Sequence, residues 1–275
     1  MHYVVIGHPC QDIIPTGYAW GGGVIYSGLT AYQLGATVSV ITRCQLHPDL
    51  DPRLHWHIIP DTTTTIFENR YDPLSGERQQ FMHARAGDID ISELSKRKIS
   101  ADIVHLAPVA NEIRYEAIPS LDEKTWLVAT PQGWMRQLGD NHRVIHQTWQ
   151  GAERLLPYLK ALSLSEEDVQ GDLELVRYYA SVVPFVLYTK GYKGAVLFMG
   201  NETLSIDAFP ASVVDLTGAG DVIAAAFFIR LYETHNPQEA LEFGAAAAAI
   251  AIEGRGASNI PTREQIAQRR RLQQH

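Results

Sequence analysis

The hydrophobic positions of this chain follow two periods in turn, which predicts strands that alternate with helices. The unbroken apolar run YVVIG (3–7) is typical of a buried strand, and TVSVIT (37–42) predicts the next one. Between them, GGGVIYSGLTAYQLG (21–35) predicts a glycine-led amphipathic helix. Further strand-like segments occur at residues 102–109, 125–130, 143–146, 158–164 and 184–189. This alternation implies an α/β fold whose mostly parallel central sheet carries helices on both faces.

The later part of the chain is richer in helical patterns. A helix is predicted over 166–180, and the sequence is mainly helical after Gly218. The run FGAAAAAIAI (243–252) predicts a buried helix whose small side chains permit close packing. No linker, low-complexity tract or repeat interrupts the sequence, so we expect a single domain over residues 1–275.

One segment breaks the alternation. Residues 62–85 lack a helical period and predict two strands joined by DPLSGE (72–77), which is rich in turn-forming residues. With part of 10–21, this hairpin is a candidate small β lid that would keep water from a reacting group. A plain edge hairpin is the alternative.

Composition narrows the classes of function. The formal net charge is −8 and the pI is about 5.7, which argues against a nucleic-acid partner. Two cysteines, Cys10 and Cys44, are too few for a disulfide framework and favour a reduced, cytoplasmic setting. The first strand starts at Tyr3, which leaves no room for a signal peptide, and the longest apolar run is too short to cross a bilayer. We therefore expect no membrane partner, and we expect the basic tail 263–275 to be a solvated, fraying helix end.

The stretch VVDLTGAGDVIAAAFF (213–228) carries the first candidate chemistry. Gly218 and Gly220 remove side chains from a turn that opens an apolar helix, so backbone N–H groups there can approach an anion closely. Thr217 or Asp221 can be simple helix caps, which is the structural alternative. A carboxylate beside a phosphate is unfavourable unless it has a task, such as accepting a proton from a hydroxyl. Asp221 is therefore a candidate general base beside an anion site.

Five segments resemble, in order, those of the PfkB/ribokinase-like carbohydrate kinases. DLTGAGD (215–221) is similar to the C-terminal signature of that family. The other four are VVIGHPCQD (4–12), GGGVIYSGLTAYQLG (21–35), TKGYKG (189–194) and AAAAAIAIEGRGASNIP (245–261), so the resemblance spans nearly the whole chain. It implies a ribokinase-like three-layer sandwich with a small β lid. It also implies a kinase that uses ATP and Mg²⁺, with a monovalent cation as a further candidate cofactor.

The resemblance assigns roles to individual residues. Asp221 would be the catalytic base, and backbone amides would form an anion hole at Gly218, Ala219 and Gly220. The hydroxylated substrate would be bound by Asp12, Gly22 and Gly23. The nucleotide would be bordered by Thr189, Gly191, Gly194, Thr217, Ala246, Ala249 and Gly256. These groups suit phosphoryl transfer, which depends on positioning and charge stabilisation more than on covalent chemistry.

The metal motif departs from the family pattern. The family's N-x-x-E motif, which orders Mg²⁺ through water, corresponds here to Ser165 and Asp168. Ser163 and Glu166 form a second possible register, and Glu167 is a further candidate. Since Mg²⁺ is usually held by a few carboxylates, waters and phosphates, a Ser/Asp version of the motif is chemically workable.

The substrate side departs from the pattern as well. Tyr26 stands where the family usually has Asn, and we expect it to form part of the substrate pocket. The interval from Asp12 to Gly21 is short, so the lid is expected to lack strands that relatives have there.

Three segments resemble the branch that contains the myo-inositol kinases of plants and archaea. They are TTTTIFENRYDPLSGERQ (62–79), HLAPVANEI (105–113) and TPQGWMR (130–136). In that branch a Gln-Gly pair follows the mid-sheet strand, as Gln132 and its neighbour do here. The amide of Gln132 offers a donor and an acceptor to polyol hydroxyls, the alternative being a helix-start residue that faces solvent.

These motifs predict an ATP-dependent phosphotransferase that acts on a hydroxyl of a small polyol, with myo-inositol or a related cyclitol favoured. A sugar or nucleoside kinase of the same family is the alternative, and a non-catalytic ligand-binding homologue is the alternative of another class. The chain lacks the P-loop motif, and GHPCQD (7–12) after the first strand does not fit a dinucleotide fingerprint. The sequence leaves open whether the donor is ATP, another NTP or ADP, and whether the protein is a monomer or a homodimer.

Overall fold

The computed structural model describes residues 1–71, 78–116, 118 and 121–273. The turn DPLSGE (72–77) expected between two lid strands lies outside the described residues. In chain order the strands are β1 (His2–Ile6), β2 (Cys10–Ile14), β3 (Gly17–Gly21), β4 (Thr37–Cys44), β5 (His55–Pro60), β6 (Thr65–Tyr71), β7 (Arg78–Ala84), β8 (Ile89–Asp90), β9 (Ile103–Leu106), β10 (Ile113–Arg114), β11 (Trp126–Ala129), β12 (Arg136–Leu138), β13 (Val144–His146), β14 (Ala161–Ser165), β15 (Phe185–Thr189), β16 (Ala195–Met199) and β17 (Glu202–Ile206).

The α-helices follow the same alternation. In chain order they are α1 (Gly23–Gln33), α2 (Glu93–Lys96), α3 (Ala152–Leu155), α4 (Leu173–Val182), α5 (Ala219–Thr234), α6 (Pro237–Ala251) and α7 (Arg263–Gln273). Short 3₁₀ helices lie at Pro131–Met135, Asp140–His142, Leu156–Tyr158, Gly191–Lys193 and Gly256–Asn259. Within these described residues, no helix is both long enough and apolar enough to cross a membrane.

Among the described residues, nine strands form the central sheet, in the order β17-β16-β15-β14-β11-β9-β1-β4-β5. The seven strands from β15 to β5 are parallel, and β16 and β17 extend one edge in antiparallel pairing. The predicted α/β fold with a mostly parallel sheet is confirmed. A parallel sheet of this kind brings the loops after its strands to one edge, where ligands bind in open α/β folds.

The two faces of the sheet pack against separate cores. In β1, Tyr3 and Val5 belong to the core shared with α1, α5 and α6, whereas Val4 and Ile6 belong to the core shared with α3 and α4. This alternation follows from the two-residue period of a strand. The result is the expected three-layer sandwich. The predicted buried helix over 243–252 lies within α6 and Ile252, where Gly244 allows close approach to α5.

The helix predicted over 166–180 begins later, at Leu173. Asp172 caps it by accepting hydrogen bonds from the amides of Glu174 and Leu175 at 2.9 and 3.1 Å. The residues before it form a turn in which Gln170 and Gly171 have positive φ, which a continuous helix excludes.

In the part of the chain that the structure describes, a second sheet has four strands in the order β3-β2-β6-β7. The strand pair predicted within 62–85 is present as β6 and β7. Within this short interval β2 and β3 form a hairpin, and β2 pairs in parallel with β6, so part of 10–21 belongs to the same small sheet as the strand pair predicted within 62–85. The turn at Pro15–Thr16 lets this short interval hold two strands, with Gly17 at φ 129°. Residues 10–21 are therefore half of the small sheet.

Two further expectations need correction. The segment 143–146 is not a strand of the central sheet; β13 pairs with β12 in a separate hairpin, and Arg143 forms a backbone bridge to Phe81 of β7. The tail is docked rather than solvated, since Ile266 of α7 is fully buried. Arginines of α7 also pair with acidic residues of neighbouring segments: Arg263–Glu233, Arg269–Glu253 and Arg270–Glu242.

A buried carboxylate holds the base of the small sheet to the body. Glu112 accepts hydrogen bonds from the amides of His8, Val109 and Ala110 at 2.7 to 3.1 Å. The ring of His8 in turn contacts Thr65 Oγ1 at 2.8 Å through Nδ1 and Gly87 O at 2.9 Å through Nε2. These contacts fix the position of the small sheet relative to the strand ends.

Candidate active site

The glycine turn has the geometry of an anion site. Gly218 is the N-cap of α5 and adopts the left-handed conformation, with φ 79° and ψ −1°. The first amides of a helix have no partner within it, so the amides of Gly220 and Asp221 are available to a ligand. The amide of Ala219 instead donates to Leu216 O at 3.2 Å. A Cβ placed on Gly220 meets no atom within 4 Å, so open space lies above this turn.

Asp215 fixes the approach to this turn. Its carboxylate accepts hydrogen bonds from the amides of Thr217 and Gly256, both at 2.9 Å. Although burial opposes the charge, these two hydrogen bonds lower the pKa of Asp215. Asp215 thereby connects the DLTGAGD segment (215–221) to the segment that follows α6. Thr217 and Gly256, both predicted to border the nucleotide, lie together.

The start of α1 meets the start of α5. A Cβ on Gly23 would lie 3.1 Å from Asp221 Oδ1 and 2.9 Å from the Cβ of Ala107, so a side chain there would crowd the carboxylate. Ser27 Oγ donates to Asp221 O at 3.4 Å. Gly22 is the N-cap of α1, with φ 90°. The predicted substrate residues Gly22 and Gly23 therefore lie beside the predicted base.

Asp12 approaches the same place from β2. It lies opposite Ala19 of β3, and a Cβ on Gly21 would overlap the Asp12 carboxylate. Hence Asp12 and the glycines that lead into α1 share one side of the cleft, with Asp221 at its end. The side chain of Tyr26 is almost completely buried, at 3% exposure, and lies between this side and the glycine turn.

The environment of Asp221 suits a general base. Burial raises the pKa of its carboxyl to about 7, the guanidinium of Arg136 opposes that rise, and the carboxylate of Asp168 adds to it. A base with a pKa near neutrality is half deprotonated at physiological pH and can still bind a proton from a hydroxyl.

Of the two registers considered for the metal motif, Ser165 and Asp168 contact each other directly. Asp168 Oδ2 accepts hydrogen bonds from the amide and the hydroxyl of Ser165, both at 2.8 Å, and Gln132 Nε2 lies 3.5 Å from its other oxygen. In the second register, Ser163 is buried and Glu166 pairs with Lys193 at 3.3 Å.

The chemistry of this cluster suits Mg²⁺. Among the residues that the structure describes, no group of three or more His, Cys, Asp or Glu side chains could hold a metal. Mg²⁺ commonly needs only one or two carboxylates, with waters and donor phosphates completing its shell. Asp168, whose charge helps to raise the pKa of the Asp221 carboxyl, fits the role of such a carboxylate ligand. Glu167 is exposed, two residues after Ser165.

The other predicted nucleotide residues divide into two groups. Thr189 ends β15, and the turn after it contains Gly191 and Gly194, both with positive φ, at 56° and 82°. These residues lie on an accessible turn. Ala246 and Ala249 are 0% and 5% exposed within α6, so their methyl groups lie inside the core.

Arg136 is a charged residue near Asp221 that the sequence interpretation did not single out. It lies at the start of β12, four residues after Gln132, and its Nη1 donates to Val109 O at 3.2 Å. It also lines a cavity of about 420 Å³ between the small sheet and the body, together with Phe67 and Met82. The quoted segment TPQGWMR contains Arg136, but its position depends on a hairpin that the hydrophobic pattern did not reveal.

Comparisons with known proteins agree with this architecture. Residues 153–264 match the profile of the pfkB family carbohydrate kinases. A ribokinase from Arabidopsis thaliana is 39% identical over 84 residues, which is 30% of this chain and 22% of that protein. With the next two ribokinases the matches reach 26% and 27% of the relative, so this chain spans about a quarter of the length of the curated relatives that it matches first.

Two solved structures illustrate the likeness over the whole chain. A pyrophosphate-dependent kinase in the ribokinase family, complexed with a pyrophosphate analogue and myo-inositol, has a TM-score of 0.80 at 25% identity and covers 97% of this chain and 99% of that chain. The Arabidopsis thaliana ribokinase complexed with ribose and ATP has a TM-score of 0.71 at 18% identity and covers 98% of each chain. The second likeness is one of fold alone.

Proposed function

We propose that this protein transfers a phosphoryl group to a hydroxyl of a small polyhydroxylated acceptor, because residues 153–264 match the profile of the pfkB family carbohydrate kinases. The observation that carries the proposal is the position of Asp221: a carboxyl with a pKa of about 7 stands at the N-terminus of α5, beside backbone amides that open space leaves accessible. An anion site and a neutral-pH base at one helix end are the two requirements for this reaction.

The reaction follows from the two sides of the cleft. Asp12 and the Gly22–Gly23 turn hold the acceptor, and Asp221 accepts the proton from its reacting hydroxyl. The hydroxyl oxygen then forms a bond to the terminal phosphorus of the donor while the bond from that phosphorus to the leaving phosphate breaks. The amides of Gly220 and Asp221 stabilise the charge on the transferred group. Arg136 balances the negative charge that gathers near Asp221.

Asp168 is the residue that would hold Mg²⁺, with Glu167 as a second candidate and Ser165 fixing the Asp168 carboxylate. When bound, Mg²⁺ supplies positive charge that offsets the charge of the donor phosphates.

For the acceptor, we favour myo-inositol or a related cyclitol. The support is the likeness to the kinase complexed with myo-inositol, and the place of Gln132 beside Asp168, where its amide can pair with a ring hydroxyl. A sugar or nucleoside is the alternative, since the curated relatives include ribokinases and a nucleoside kinase.

For the donor, ATP and pyrophosphate are both candidates. The solved relatives include a ribokinase complexed with ATP and a kinase that depends on pyrophosphate, and the latter has the higher TM-score, 0.80 against 0.71. We propose ATP as the donor for two reasons. The turn at Gly191–Gly194 is accessible, and Thr217 and Gly256 lie together beside the glycine turn.

One experiment tests acceptor and donor together. The purified protein is incubated with Mg²⁺ and either ATP or pyrophosphate, against a panel of cyclitols, pentoses, hexoses and nucleosides, and the phosphorylated product is identified by mass spectrometry. We expect one cyclitol to be phosphorylated at least about 10-fold faster, by kcat/KM, than any sugar. Preference for ribose or a nucleoside would replace the cyclitol assignment. Ligand binding without turnover under every condition would favour a non-catalytic homologue.

A further inference from the structure

The ring of Tyr26 lies directly under the glycine turn. A Cβ on Gly218 would overlap the Cγ, Cδ1 and Cε1 atoms of that ring, so the backbone of the turn rests on the face of the side chain. Tyr26 itself is 3% exposed and belongs to the core shared with α5. A side chain at position 218 would therefore be unfavourable for two reasons: the backbone there is left-handed, and the ring of Tyr26 occupies the space.

The same ring also borders the acceptor side and the segment after α6. Its Cε2 atom is 3.9 Å from a Cβ placed on Gly21, whose other neighbour is the Asp12 carboxylate. Its hydroxyl is 3.7 Å from a Cβ placed on Gly256, which donates to Asp215. Tyr26 thus lies among three glycines: Gly21 on the acceptor side, Gly256 in the segment after α6, and Gly218 in the glycine turn.

The surroundings of Tyr26 oppose ionisation of its phenol. Burial raises the pKa of Tyr26, and the carboxylates of Asp12, Asp215 and Asp221 raise it further. The phenol therefore stays neutral, and the side chain acts on the turn through its shape and not through a charge. A flat, rigid ring with two side-chain torsions is well suited to fix a backbone segment.

We propose that Tyr26 is a positioning residue for phosphoryl transfer: its ring supports Gly218 so that the amides of Gly220 and Asp221 stay aimed at the transferred phosphoryl group. This inference rests on the proposed function. It differs from a role in acceptor recognition, because loss of the ring would leave a void under the donor side of the cleft and would relax the turn. Since amides that stabilise a transition state must be aligned closely, a small shift lowers the rate of the chemical step.

The test uses a pair of variants and a control. Tyr26→Phe keeps the ring and should retain kcat within about twofold. Tyr26→Leu removes the flat support and should lower kcat by about 10-fold or more, while the KM of the acceptor changes less than about threefold. The control is Tyr179→Leu, an equally buried tyrosine of α4 in the opposite core, which should lower Tm with kcat retained.

A binding readout separates this inference from the proposed function. The increase in Tm caused by inorganic pyrophosphate is measured for the wild type, Tyr26→Phe and Tyr26→Leu, without acceptor. We expect the increase to persist in Tyr26→Phe and to fall by at least half in Tyr26→Leu. An unchanged increase in Tyr26→Leu, or a loss that appears in acceptor KM with kcat retained, would overturn the inference. Should no acceptor be phosphorylated by the wild type, the proposed function fails, and the pyrophosphate shift still tests whether Tyr26 shapes the anion site.

Discussion

Arg136 and Asp221 are electrostatically coupled: burial raises the pKa of the Asp221 carboxyl to about 7, and the Arg136 guanidinium opposes that rise. The base is active only when deprotonated, so kcat/KM should increase with pH and level off above about 7. Removing the guanidinium should raise the pKa of Asp221 and move this acid limb to higher pH.

The measurement is the pH profile of kcat/KM for Arg136→Gln. The matched control is Arg143→Gln, which changes an exposed arginine of the same hairpin. We expect the midpoint of the acid limb to move upward only in Arg136→Gln, whatever the change in absolute rate. A midpoint that stays in place, or moves downward, would show that Arg136 does not act on this base.

Asp221→Asn should lower the activity strongly, and its effect on stability should depend on pH. Loss of the base should lower kcat by at least about 100-fold with acceptor binding retained. The native carboxyl keeps its proton up to about pH 7, whereas an unfolded aspartate loses it near pH 4. The native state therefore binds more protons across this interval, and the free energy of unfolding of the wild type falls as pH rises, by up to about 1.4 kcal/mol per pH unit.

Asn does not titrate, so Tm of the variant relative to the wild type should be more favourable at pH 8 than at pH 5. The two Tm values are measured by thermal unfolding in the same buffers. A difference that is constant with pH would mean that the pKa of Asp221 is not raised in the native state.

Replacing Gly218 and replacing Gly220 by alanine should have different effects on the stability of the protein. Gly218→Ala places a Cβ in the Tyr26 ring at a positive φ, so we expect a loss of stability of more than about 1 kcal/mol. Gly220→Ala places a Cβ in open space within a helical segment, so stability should be equal or higher by up to about 1 kcal/mol.

Gly220→Ala should nevertheless lower the donor kcat/KM by at least about 10-fold, because the new methyl group occupies the space next to the helix amides. Denaturant unfolding and steady-state kinetics of the same preparations provide the comparison. Full activity of Gly220→Ala would place the donor phosphate elsewhere.

The sequence identified the parts of the site that depend on local motifs. Asp221 and Gly218 lie in one continuous turn, Gly22 directly precedes α1, and Asp12 lies in β2 shortly after the central strand β1, so the edge at the ends of the parallel strands brings them together. These residues meet because the hydrophobic pattern of the central sheet is strong and regular.

The sequence did not identify the parts that depend on contacts between distant segments. Arg136 reaches the site through a β-hairpin whose two strands have only three residues each, too short for a clear period. The sequence predicted a buried helix over 243–252, but the pattern of an alanine-rich helix does not show which of its positions remain accessible to a ligand, and Ala246 and Ala249 are buried.

The last prediction concerns Asp12, which lies on the acceptor side beside Gly21. A carboxylate can accept hydrogen bonds from two hydroxyls, and leaving such groups unpaired in a closed site costs about 1–3 kcal/mol. Asp12→Ala should therefore lower kcat/KM for the acceptor by roughly 10- to 100-fold. The control is Gln11→Ala, the preceding residue of β2, whose side chain points to the opposite face of the small sheet. Donor binding, measured as the Tm increase with pyrophosphate or with ATP, should be the same in both variants, because the donor groups come from the turn before α5 and from the residues after β15. If Asp12→Ala weakens donor binding as strongly as acceptor turnover, or if Gln11→Ala has the same effect, then the acceptor does not lie against Asp12 and the division of the cleft into two sides is wrong.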